Sequence, residues 1–270
     1  MELVVGSENS AAIQIYYEDH GQGAPVVLVH GYLLDGRSWE KQETALLAAG
    51  HRVITYDRRG FGASSRPSVG YDYDTLAADL AALLDTLDLR GAVLVGFCGG
   101  TGEVTRYLGT YGQTRVRAAV LLAPLPPFLP RTDDNPDGID PAVLDEFLRE
   151  VIADRPAATK TYLDRSYNID LLGGTQVSDQ AWQNSFHVAI GASAAAVRGG
   201  AAAWLEDFRA DLARITVPVL VVQGDDDRIM PPEATGNRAR HVVVPDGPHA
   251  IIWTHADQVN RALLDFLDTR

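Results

Sequence analysis

The feature that most narrows the fold is a series of short, unbroken apolar runs, each closing on Gly, Pro or Asp. "PVVLVHG", "HRVITYDRRG", "GAVLVGF", "RAAVLLAP", "VPVLVVQGD" and "RHVVVPDG" all have this form, and "IQIYYEDHG" before them reads as a strand with polar alternation. Between the runs lie amphipathic stretches. "TLAADLAALLDTLDL" places Leu76, Leu80, Leu83, Leu84 and Leu87 at helical spacing, and "THADQVNRALLDFLDT" near the C-terminus repeats the pattern. Strands that are apolar on both faces and separated by helices predict an α/β fold, a mostly parallel twisted sheet flanked by helices.

One segment departs from that rhythm. From Leu125 to Asp207 there is no convincing strand; a Pro-rich linker, "PLPPFLPRTDDNPDG", leads into helical stretches such as "PAVLDEFLREVIADR" and "ATKTYLDRSYNI". Inserted between two sheet strands, such a segment reads as a helical cap over the sheet's carboxyl edge, where open α/β sheets bind ligands. The expected division is therefore a core of residues 1–124 and 208–270 with a cap of residues 125–207.

The composition fits a single large core: 270 residues, 46% hydrophobic and 22% charged. A net charge of −13 and no basic cluster argue against nucleic acid and against anionic membranes as partners. A single cysteine excludes an internal disulfide and a thiolate metal cluster. The N-terminal stretch lacks a basic region followed by an apolar one, and no run is long enough to span a bilayer, so a cytoplasmic location is expected. The remaining histidines, His20, His51, His187, His241 and His255, show no metal-ligand spacing to one another, and neither a metal nor another cofactor is expected.

The lone cysteine sits in "LVGFCGGTGE", between an apolar run and a helical stretch. Gly96-Phe-Cys98-Gly-Gly100 has the form of the G-x-S-x-G turn, in which a nucleophile is held on a sharp strand-to-helix bend and small residues two positions either side leave room for it. Such a nucleophile needs a histidine base and an acid to orient it, in the chain order nucleophile, acid, histidine. "DDDRIMP" offers Asp225, Asp226 and Asp227 at a strand end, of which Asp227 closes a G-x-x-D spacing; the other two read as turn residues. "GPHAIIWTH" places His249 after the last strand. An oxyanion hole requires the N–H of Gly99 and a second from the loop "HGYLLDG", which makes Tyr32 the candidate. His30 in that loop reads as a brace, and Arg58 and Arg59 of "YDRRGFG" as loop ion-pair residues.

Together, "HGYLLDGRSWE", "VITYDRRGFGASSRPSVGYDYDTLAADL", "VLVGFCGGTGEVTRYLGTYG", "WLEDFRADLARITVPVLVVQGDDDR" and "GPHAIIWTHADQVNRALLDFL" resemble the α/β-hydrolase superfamily, and within it the cofactor-free, non-haem haloperoxidase and arylesterase branch. The resemblance spans nearly the whole chain. It implies a serine triad that hydrolyses esters or lactones and, with peroxide, makes halide-oxidising peracids, without metal or haem; members often assemble, so a homo-oligomer is allowed. By motif the triad positions are Cys98, Asp227 and His249. The chain departs from the branch in carrying Cys98 for serine, Gly99 for the usual methionine, and a short "PPEATGNRARHVVV" before the last strand.

A thiol beside a histidine at a helix N-terminus is expected to ionise readily. Its acyl intermediate would be a thioester, so the expected reaction is hydrolysis, acyl transfer or cyclisation of an activated ester, lactone or thioester of a small molecule through acyl-Cys98. Peracid chemistry would oxidise such a thiolate. Two alternatives stand beside this reading: a serine-esterase or perhydrolase scaffold weakened by a Ser-to-Cys exchange, and a non-hydrolytic ligand-binding or cyclase-like protein. Trp204 and Phe128 are the expected substrate contacts. Tyr32, Trp39, Trp182, Phe186 and Trp253 are further candidates for an apolar pocket.

Overall fold

A computed structural model describes residues 1–125, 127–230 and 240–268. Eight strands form one sheet: β1 (Glu2–Glu8), β2 (Ala11–His20), β3 (Pro25–Val29), β4 (Arg52–Tyr56), β5 (Ala92–Phe97), β6 (Val116–Leu122), β7 (Val219–Gly224) and β8 (Arg240–Val244), in the spatial order β1-β2-β4-β3-β5-β6-β7-β8. The β1–β2 and β2–β4 pairs are antiparallel and the others parallel. The apolar runs occupy β3 to β8, as expected. Sequence reasoning passed over β1, whose ELVVGSE is only partly buried and shifts register at Gly6.

Helices cover both faces. Within the core segment that precedes β6 are α1 (Glu40–Ala48), α2 (Tyr73–Thr86) and α3 (Gly99–Thr110). Helices α4 (Pro141–Ala153), α5 (Arg155–Tyr167), α6 (Ile169–Leu172), α7 (Asp179–Ile190) and α8 (Ala194–Ala203) lie between β6 and β7. Finally come α9 (Arg209–Leu212), α10 (Ile251–Thr254) and α11 (Ala256–Asp268). The leucine stripe of α2 lies on the sheet, with Leu80, Leu83 and Leu84 fully buried; at about 2 kcal/mol for each buried leucine, that face accounts for the helix's docking. Asp72 caps its N-terminus by accepting from Thr75 N–H at 2.8 Å.

The α4–α8 segment is tied to loops at the carboxyl ends of five strands. Tyr32 Oη, after β3, donates to Val197 O at 2.9 Å, and Gly60 O, after β4, accepts from Ser193 N–H at 2.9 Å. Tyr162 reaches Cys98 after β5; Asn168 Nδ2 donates to Asp226 after β7; Ala250 N–H, after β8, donates to Ser166 O at 2.8 Å. The helices thus form a cover over the sheet edge. The short stretch expected before β8 falls largely on residues 231–239, outside the described residues.

The junction of β5 and α3 brings the helix against the sheet at very short range. A methyl group on Gly100 would stand 2.2 Å from Val29 O and 2.7 Å from His30 O, both rigid backbone. On Gly99 the same group would meet nothing closer than 3.5 Å, an ordinary contact. Gly100→Ala is therefore expected to cost about 3 kcal/mol in urea denaturation, while Gly99→Ala stays within about 1 kcal/mol of the parent. Equal losses would refute the packing account.

Candidate active site

Cys98 is the single residue between β5 and α3, and the chain turns through it with φ 49° and ψ −121°. A side-chain-bearing residue with positive φ is strained, and that strain aims the side chain out of the turn. Neighbouring contacts hold it there. Cys98 N–H donates to Leu122 O at 3.0 Å, and Thr101 Oγ1 donates to Cys98 O at 2.5 Å. Gly96 and Gly31 leave the necessary space: a Cβ on Gly96 would lie 2.7 Å from Gly100 O, and one on Gly31 3.1 Å from Cys98 Cβ.

The candidate acid and base, Asp227 and His249, come from the ends of β7 and β8. Their loops approach so closely that a Cβ on Gly224 would stand 2.0 Å from Gly247 O. With glycine there, Asp226 N–H donates to Gly247 O at 3.0 Å and the two loops run side by side. Asp227 Oδ2 then lies 2.8 Å from His249 Nδ1. The carboxylate is itself held: Oδ1 accepts from Ile229 N–H and Met230 N–H at 2.8 and 2.9 Å, and Oδ2 from Gln223 Nε2 at 3.1 Å. Asp225 and Asp226 are engaged in the turn, with Asp225 N–H donating to Val244 O.

Asp227 orients the ring so that Nε2 is the free nitrogen, buried and without a well-formed hydrogen bond among the described residues. Its electrostatic partner is the Cys98 thiol. Burial alone would raise the thiol's pKa, but His249, the Tyr162 hydroxyl and Tyr32 N–H outweigh burial and bring it below the ordinary thiol value. Burial likewise opposes a charged His249, yet Asp227 and Cys98 push its pKa up to about 10. The two shifts run in the directions that favour a thiolate beside an imidazolium.

Tyr32 N–H faces the sulfur, and a Cβ on Gly99 would lie 3.5 Å from that same nitrogen. The two N–H groups expected as oxyanion donors are thus adjacent. His30 braces their loop. Its Nε2 accepts from Arg58 N–H at 2.9 Å, so Nδ1 carries the proton given to Gly31 O at 2.8 Å. Burial and the Arg58 charge depress its pKa to about 3, so it stays neutral. Arg58 and Arg59 form buried ion pairs, with Glu103 at 2.7 Å and Asp79 at 2.6 Å.

Of the expected substrate contacts, Trp204 lies over the site, 4.7 Å from the Tyr32 ring, and lines two cavities. The larger, of about 410 Å³, is walled by Leu129, Ile139, Leu144, Phe147, Tyr162 and Met230 and reaches Asp227. A separate, narrower cavity that Trp204 does not line, about 40 Å³, reaches His249 and Trp253. A third, about 10 Å³, lies beside Gly99. Phe128 is placed differently. Its ring packs against the Arg209 guanidinium at 4.8 Å and lines none of these three cavities, because the linker that carries it turns back through Asn135, whose Nδ2 donates to Phe128 O. Trp39 packs on Phe97, and Trp182 stacks on Phe186 within α7. Sequence reasoning missed Tyr162, Gln223 and Asn168; none carries a motif, and each is recognised only by what it touches.

Comparison with known proteins agrees with the fold. The family profile described as alpha/beta hydrolase fold matches residues 24–256. A Synechocystis sp. protein provisionally assigned as a non-heme chloroperoxidase is 56% identical, covering 98% of this chain and 99% of its own length. A bromoperoxidase from Bacillus anthracis superposes with a TM-score of 0.94 at 41% identity, covering 99% of each chain. An esterase from Exiguobacterium antarcticum does so at 0.89 and 27%, covering 95% of this chain and 96% of its own. The chain therefore belongs to the α/β-hydrolase superfamily, in its non-haem haloperoxidase and esterase branch.

Proposed function

We propose that this hydrolase acts on activated esters, lactones or thioesters of small molecules through an acyl-Cys98 intermediate, beneath a cap formed by residues 125–207. The observation that carries the reading is the alignment of Cys98, on its strained turn, with a His249 already oriented by Asp227. A protein that only binds a ligand has no use for an imidazole held in that way.

The chemistry follows from the charges. The Cys98 thiolate attacks the acyl carbon, forming a C–S bond, and the carbonyl oxygen becomes an oxyanion that accepts from Tyr32 and Gly99 N–H. Collapse breaks the bond to the leaving group, which takes the proton from His249 Nε2. In the second half, Nε2 removes a proton from water as its oxygen attacks the thioester. The tetrahedral species then expels the thiolate, releasing the carboxylic acid and restoring the ion pair. An amine or thiol in place of water gives acyl transfer. Because a thioester stores more acyl-transfer potential than an oxygen ester, donors with good leaving groups load the sulfur most readily. The apolar lining of the larger cavity suits an apolar acyl group. Peroxide chemistry fits poorly, since peracid would drive the thiolate to sulfenic and sulfinic acid.

Two measurements test this. Intact-protein mass spectrometry after mixing with a p-nitrophenyl ester should show one acyl adduct on the parent and none on Cys98→Ala; an unlabelled parent, with faster turnover by Cys98→Ser, would instead support a serine-esterase scaffold. Acylation by lactones should reach its plateau at a pH below the ordinary thiol range. With the thiol pKa lowered, its rate should fall only when acid below the ordinary thiol range protonates the sulfur. It should fall again above about 10, as His249 loses the proton that the leaving group needs. A single midpoint near an ordinary thiol value would rule out the ion pair.

A further inference from the structure

Cys98 is wholly buried, and the group that closes it off belongs to the cap rather than to the triad. Tyr162, on α5, places its hydroxyl 3.4 Å from Cys98 Sγ. Its ring meets Tyr32 edge-on at 5.5 Å and lies 6.1 Å from Trp204 and 6.3 Å from Phe147. Tyr162 lines both the large apolar cavity that reaches Asp227 and the narrow one that reaches His249. Cys98 lines neither cavity, so Tyr162 is the residue that borders both of them and also touches the sulfur.

We infer that Tyr162 is a catalytic residue supplied by the cap: its hydroxyl donates to the Cys98 thiolate in the closed state, and its ring withdraws to admit the acyl donor. Donation runs in that direction because a thiolate can only accept and the phenol keeps its proton; burial and the neighbouring thiolate hold Tyr162 well above the ordinary tyrosine value. The other groups facing the sulfur are otherwise engaged. Tyr32 contributes its N–H, while its hydroxyl donates to Val197 O. The Tyr73 hydroxyl, near α3, donates to Gly99 O at 3.0 Å, and Arg58 beside it is paired with Glu103. His249 supplies the positive charge, compensated by Asp227 on its far side. Tyr162 is thus the one side-chain hydroxyl among the described residues in hydrogen-bonding reach of the nucleophile.

Two consequences separate this role from simple packing. Loss of the hydroxyl alone should make the thiol harder to ionise, and loss of the ring should make it easier to reach. This inference rests on the acyl-Cys98 reading only in taking sulfur as the reacting atom, and its test uses no ester. Because Cys98 is the sole cysteine, alkylation reports on it alone. The rate of alkylation by iodoacetamide is followed against pH for the parent and Tyr162→Phe, and labelling by the bulkier N-ethylmaleimide for the parent, Tyr162→Phe and Tyr162→Leu. Tyr162→Phe should raise the ionisation midpoint so that the thiolate fraction on the acid limb falls about tenfold. Tyr162→Leu should speed maleimide labelling at least tenfold over Tyr162→Phe on their plateaus. An unmoved midpoint in Tyr162→Phe would overturn donation to the sulfur, and unchanged labelling in Tyr162→Leu would overturn the closing role. Since Tyr162→Phe keeps the ring, it carries the first arm even if the leucine variant fails to fold. A moved midpoint in Tyr162→Phe, with no acyl adduct on the parent, would defeat the acyl reading and leave this one standing; an adduct on the parent with an unmoved midpoint in Tyr162→Phe would do the reverse.

Discussion

Everything at the site depends on one peptide unit, the backbone of Cys98 held at positive φ. That conformation is costly for any residue with a side chain, and it persists only where the surroundings over-determine it. Here the sheet supplies one restraint through Leu122 O, the helix another through Thr101, and the glycines at 31, 96 and 100 remove the obstacles. The reward is directional. The sulfur stands clear of its own backbone, at the positive end of α3 and against the Tyr32 N–H, so the same bend that strains the chain also favours the thiolate.

The acid and base obey a second short-range constraint. Gly224 and Gly247 let two loops run in contact that would otherwise be held apart, and this proximity, rather than any flexible reach of the side chains, sets the Asp227–His249 distance. Asn168 and Ser166 of the cover bond to those same loops. The cover is therefore bonded to the loops that carry Asp227 and His249 rather than merely lying above them, and a change in its position would be felt at both residues.

How much of this could be read from the chain alone follows from the range of the forces involved. Strands β3 to β7 are buried on both faces and announce themselves as apolar runs, and β8 carries such a run although only Val244 is buried, whereas β1 is half exposed, interrupted at Gly6, and has no such signature. Cys98, Asp227 and His249 are legible because each sits at a strand end with a constrained turn. Tyr162 is not, because an amphipathic helix shows which side is apolar but not which of its residues meets a sulfur from a distant strand. The contrast between Trp204 and Phe128 has the same origin. Both are aromatics near the cover's ends, and only tertiary packing sends one over the nucleophile and the other to Arg209.

On the acyl-Cys98 proposal, the complete burial of the sulfur also has a consequence for affinity. If only a fraction of molecules exposes the sulfur at any moment, every acyl donor's apparent dissociation constant is its intrinsic value divided by that fraction. A closed population of 99 in 100 would weaken all donors about a hundredfold alike, leaving their order of preference untouched. Selectivity among acyl groups and sensitivity to them are then separate quantities. On that proposal the first would belong to the walls of the cavities and the second to the equilibrium of the cover, which a ligand bound elsewhere on those helices could shift without touching Cys98, Asp227 or His249.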